Sequence, residues 1–99
     1  MIKVEVTKKD ISVTGHAMYD DYGKDIVCAA VSSTVMTSVE SIASIDEKAI
    51  NVDESTNLLT ITINKHDEVT DKLIDTMINL LKEIENQYPK NIKITNKEE

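Results

Sequence analysis

At 99 residues the chain is long enough to bury one apolar core unaided, and its composition offers no substitute for one: a single cysteine cannot form an internal bridge, and two scattered histidines give no cluster of metal ligands. Eleven basic against eighteen acidic residues give a formal net charge of −7, which argues against direct binding to nucleic acid and fits a basic protein partner, although charge of this size also serves plain solubility. No run approaches the roughly 20 consecutive apolar residues of a membrane span, and the first residues alternate in polarity instead of forming a basic start and an apolar block, so we expect a cytoplasmic chain with no membrane partner, cofactor or metal.

Taken in order, Ile2, Val4 and Val6 alternate with Lys3, Glu5 and Thr7, and beyond a polar Lys8-Lys9-Asp10 connection Ile11 and Val13 alternate with Ser12 and Thr14. The period of two predicts a hairpin of half-buried strands. Its second strand delivers Gly15 and His16 at its end. Residues 17–24 then carry Met18, Tyr19, Tyr22 and Gly23 with no helical or strand period. In a chain without Phe or Trp, two of the three aromatic residues sit in this loop. They either contact an apolar substrate segment, as a lid would, or merely anchor the loop to the body.

From Ile26 to Ile45 the spacing predicts a five-turn helix with Asp25, a favoured cap type, just before it. Val27, Val31, Val35, Ser38 and Ile42 share one face, and Cys28 lies at the margin of that stripe. A neighbouring face of small residues, Ala30, Thr34, Thr37 and Ser41, permits close approach of another helix, within the chain by default or across a homodimer. Ile50 and Val52 suggest a short strand, Glu54-Ser55-Thr56-Asn57 a turn, and Leu58 to Ile63 a returning strand. His66, between Lys65 and Asp67, reads as an exposed loop residue. Val69, Leu73, Met77, Leu80 and Ile84 recur at helical spacing until Pro89, and Ile92 and Ile94 can add a short last strand at the sheet edge.

The expected fold is therefore α+β: one domain over residues 1–99, a two-layer sandwich in the order ββαββα with a short final strand, its sheet mostly antiparallel and both helices on one face.

Reactive groups crowd into residues 15–33, which hold the one cysteine, one of two histidines and both glycines. Cys28 falls in the first helical turn, where unpaired amides and the positive end of the helix dipole lower a thiol's pKa below the model value of about 8.5. His16, brought beside the sulfur, could pair with the thiolate and return a proton to a leaving amine. On those two residues alone a packing role for the cysteine is the commoner case, because unbridged cysteine is among the most buried residue types.

The wider pattern changes that weighting. Gly15-His16-Ala17 followed by Gly23 and Asp25-Ile26-Val27-Cys28-Ala29-Ala30-Val31-Ser32 closely resembles the ribosomal-processing cysteine protease family called Prp, and length and order of elements extend the resemblance over most of the chain. The resemblance implies that His16 and Cys28 form a catalytic dyad, supported by Gly15 and by Asp25, and that the substrate is the N-terminal extension of a large-subunit ribosomal protein, L twenty-seven, cut after an apolar, aromatic-rich segment. Asp25 can serve as helix cap or as a third catalytic member; the local sequence favours the cap. Two rivals stay open on sequence: a non-catalytic acidic module that binds a basic ribosomal protein, and a thiol acyl-transferase using the same sulfur.

Overall fold

The computed structural model describes residues 1–15 and 26–97. Five strands and two helices follow one another as β1 (Ile2–Val6), β2 (Asp10–Thr14), α1 (Ile26–Ile45), β3 (Ile50–Ser55), β4 (Leu58–Ile63), α2 (Glu68–Gln87) and β5 (Ile92–Asn96). The strands form one sheet in the order β3-β4-β2-β1-β5. Three of its pairings are antiparallel; β5 lies parallel to β1, which makes the sheet mixed. This is the expected α+β architecture, with the last strand present at an edge.

Alternation in the strands fills one face of the sheet. Ile2, Val4 and Val6 of β1, Ile11 and Val13 of β2, Leu59 and Ile61 of β4 and Ile92 of β5 are all buried, and both helices cover them. Each such side chain contributes on the order of 1.5–3 kcal/mol by leaving water, so the face as a whole holds the two layers together. The β1–β2 connection is fixed by Thr7, whose hydroxyl donates to Asp10 Oδ1 at 2.9 Å and accepts from the Asp10 amide at 3.0 Å.

α1 begins and ends where its spacing predicts, and Val27, Val31, Val35 and Ile42 are buried as expected. The helix is also long and apolar enough, by length and composition, to cross a membrane, which the count of consecutive apolar residues had excluded. Its packing explains the composition: the apolar stripe lies on the sheet, and Ser38 and Ser41 return their hydroxyls to carbonyls one turn back, at 2.8 Å each.

Two sequence expectations need correction. β3 does not turn at Glu54 but runs on through Ser55, leaving a two-residue turn at Thr56-Asn57 in which Asn57 takes the left-handed conformation, φ 64°. Asparagine tolerates that conformation better than most residues. In α2 the buried face is Thr70, Ile74, Met77 and Leu81, one position on from the expected stripe, with Leu73 and Ile84 at its flanks and Val69 and Leu80 turned to solvent.

The rotation of α2 generates a direct test. Leu81 is 0% exposed and Leu80 42%. Leu81→Ala should cost about 2–5 kcal/mol through lost burial and a cavity, whereas Leu80→Ala should cost about 1 kcal/mol or less. Urea unfolding of the two variants checks this, and equal losses would mean the helix face is wrong.

Candidate active site

The register of the sheet assigns its two ends. Thr14, at the close of β2, pairs with Leu58, which pairs in turn with Ser55, so the end of β2, the start of β4 and the end of β3 lie together. Ile2, at the start of β1, pairs with Ile92 and sits near the same end. α1 leaves this end and, at about 1.5 Å per residue over its 20 residues, reaches the opposite end where β3 begins. Its N-terminus and Cys28 therefore stand at the end of the sheet to which β2 delivers Gly15.

Gly15 is fixed there by three constraints. Its φ is +75°, its N–H donates to the Asn57 carbonyl at 3.3 Å, and a Cβ at this position would run into the carbonyl oxygen of Met1. Only glycine meets the first and third together. The turn out of β2 is thus set by backbone packing, and the sequence continues from it directly into His16.

Cys28 is the third residue of α1 and 7% exposed, at the covered edge of the core as the stripe analysis expects. Ile26, Val27 and Cys28 supply the first amides of α1, at the positive end of the helix dipole. Ile26 beside it is exposed. Of the other residues singled out from sequence, His16, Met18, Tyr19, Tyr22, Gly23 and Asp25 lie outside the described residues, and so do the dyad contact, the lid and the cap that the sequence suggests.

α2 supplies an internal reference for the cap. Asp67 stands immediately before its first helical residue and accepts the Thr70 amide at 2.8 Å, and the Asp-x-x-Thr spacing equals that of Asp25-x-x-Cys28. The Thr70 backbone hydrogen bond holds the Asp67 carboxyl below its ordinary value. His66, next to it, is exposed with Nδ1 3.0 Å from Asp71 Oδ1, as expected for a loop histidine. At the other end of the α1–β3 connection, Lys65 Nζ meets Asp46 Oδ2 at 2.6 Å; that hydrogen bond lowers the Asp46 pKa and raises that of Lys65.

Known proteins show which family the chain belongs to. The sequence profile of the family described as Cysteine protease Prp matches residues 1–93. The chain belongs to the Prp family of cysteine proteases. Ribosomal processing cysteine protease Prp of Staphylococcus aureus is 30% identical over 98% of this chain and 100% of its own length, and the Mycoplasma genitalium protein of the same name is 32% identical over 95% and 94%. The crystal structure of the S. aureus ribosomal processing protease Prp with a covalently linked product peptide superposes with a TM-score of 0.86 at 27% identity, covering 98% of this chain and all of that one. Cys28 is the sole cysteine of the chain.

The capping geometry predicts a pH effect at α2. Because its folded pKa is depressed, Asp67 contributes stability that is present above the unfolded value of about 3.8 and is lost as pH falls through the folded value. Asp67→Ala should lower the melting temperature at pH 7, and the gap to the parent protein should narrow below pH 3.8. A gap independent of pH would mean that the carboxylate does not cap.

Proposed function

We propose that this chain removes the N-terminal extension of ribosomal protein L twenty-seven, with Cys28 as nucleophile and His16 as proton carrier. The observation that carries the reading is the position of Cys28, in the first turn of α1, at the sheet end where Gly15 hands the chain to His16. In sequence, the thiolate attacks the scissile carbonyl and forms a C–S bond; the tetrahedral oxyanion collapses, the C–N bond breaks, and His16 protonates the departing amine. Water, deprotonated by His16, then cleaves the thioester and regenerates the thiol. First-turn amides not taken by the Asp25 cap are suited to hold the oxyanion.

Supporting roles follow from the same positions. Gly15 sets the backbone beside the dyad, and Asp25 caps α1 as Asp67 caps α2. Met18, Tyr19, Tyr22 and Gly23 form the loop that meets the apolar part of the substrate. One domain carries the whole activity, in the cytoplasm, on a basic ribosomal protein; the charge of −7 supports that partner over nucleic acid. The small-residue face of α1, where Thr37 and Ser41 lie outside the buried stripe, is the surface suited to a homodimer.

Cys28→Ala and His16→Ala should each abolish cleavage of the extended ribosomal protein, read as product masses, while leaving the melting curve cooperative. Cleavage by Cys28→Ala would end the cysteine nucleophile assignment.

The thiol itself is under opposing influences, since burial raises its pKa and the helix terminus lowers it. The terminus should prevail in a working nucleophile, so alkylation followed against pH should give a midpoint below the model value of about 8.5. A midpoint at or above that value would show that burial wins and that Cys28 is a packing residue.

A further inference from the structure

The two edges of the sheet are treated in opposite ways. At β5 the outward amide of Ile94 donates to Glu85 Oε2 at 2.9 Å, so a side chain from α2 occupies that edge. At β3 the situation is reversed. The hydrogen bond from Ile63 N–H to the Lys9 carbonyl, 2.8 Å, shows that odd-numbered residues of β4 bond towards β2, so the even-numbered ones bond to β3. The register then turns the amides and carbonyls of Ile50, Val52 and Glu54 away from the sheet. Every residue of β3 after Ile50 is exposed, and Val52, at 37%, puts an apolar side chain on the helix-facing side of this edge.

Charge selects what can pair with it. From Ile50 to Ile63 the hairpin carries Asp53 and Glu54 and no basic residue. Two β3 strands laid edge to edge would bring like carboxylates together, and a β3 to β5 contact between copies meets Glu85 on Ile94. A second copy of this chain is thus disfavoured at both pairings, whereas a basic extended segment is favoured. The β3 edge also ends at Ser55, at the sheet end that holds Gly15 and the start of α1. Strands lie about 4.8 Å apart, so a sixth strand would run about 14 Å from β2, a span that four or five extended residues cover.

We infer that the edge of β3 at Val52 and Glu54, which no strand among the described residues pairs, is an exosite that takes up a basic segment of the substrate as an added antiparallel or parallel strand, while the scissile bond lies at Cys28. This rests on the protease reading above and adds a second, backbone-mediated contact to it. Main-chain hydrogen bonds would supply affinity with little demand on side-chain identity, and Asp53 and Glu54 would set the preference for positive charge.

Val52→Pro tests this with little disturbance to the sheet, because the amide it removes points outward and edge strands accept proline there. Two substrates are compared: the full extended ribosomal protein, and a short peptide limited to its apolar segment and the scissile bond. The ratio of kcat/KM for the long substrate to that for the short one should fall about three- to tenfold in Val52→Pro, as expected for one lost hydrogen bond. Asp53→Lys combined with Glu54→Lys should lower the same ratio and weaken its dependence on salt. An unchanged ratio in both variants overturns the exosite. Amide exchange on Cys28→Ala gives a readout free of edge mutations: Val52 and Glu54 should be protected when the uncleaved extended protein is bound, and equal exchange with and without it overturns the proposal. Failure of the parent protein to cut either substrate would strike the protease reading alone, and the exchange measurement would still decide whether β3 accepts a strand.

Discussion

The backbone crowding around Gly15 is the constraint on which the site end of the molecule depends. Its left-handed turn lies against the Met1 carbonyl, its amide is tied to Asn57, and Ile2, the next residue of β1, donates to the Asn91 carbonyl at 2.8 Å. The ends of β1 and β2, the β3–β4 turn and the entry to β5 are therefore locked to one another through main-chain groups. No side chain in this junction has to be conserved in type for it to form except the glycine itself. A rigid end of this kind suits a residue that must meet a nucleophile from another element, because errors of about 0.5 Å already matter to catalytic geometry.

Cys28 gains from where α1 starts as much as from what surrounds it. Placed in the middle of the helix it would lie on carbonyl-paired amides with no donor near the sulfur; placed before the helix it would lose the packing that fixes its rotamer. In the first turn it has both, with the core on one side and the positive end of the helix dipole on the other. α2 runs the other way, starting near the end of β4 and finishing near the start of β5, so the site end receives the positive terminus of α1 and the C-terminus of α2. Of the two helices, only α1 presents its N-terminal amides there.

Local pattern made much of this legible. The bounds of α1, the β1–β2 hairpin and the margin position of Cys28 follow from period and capping, which depend on residues close in sequence. The face of α2 did not follow, because its apolar residues form two overlapping stripes that share Met77, and only the packing against α1 and β5 chooses the one through Ile74 and Leu81. The parallel pairing of β5 with β1 joins residues some ninety positions apart, which no local signal encodes. The strand character of Glu54 and Ser55 was masked by their turn-favouring chemistry; what ends β3 is the left-handed Asn57 beyond them.

The candidate dyad shows how chain connectivity can stand in for a sequence motif. Gly15 follows the last residue of β2, and Cys28 falls in the first turn of α1, so the two belong to the ends of consecutive elements at one end of the sheet. A sheet whose second strand ended at the opposite side would separate them by the length of a strand, about 17 Å for five residues, whatever their spacing in the sequence. The topology thus supplies a proximity that spacing in the sequence does not. At α2 an aspartate immediately before the helix, Asp67, fixes the terminus by accepting the Thr70 amide, and the sequence puts Asp25 at the same spacing from Cys28.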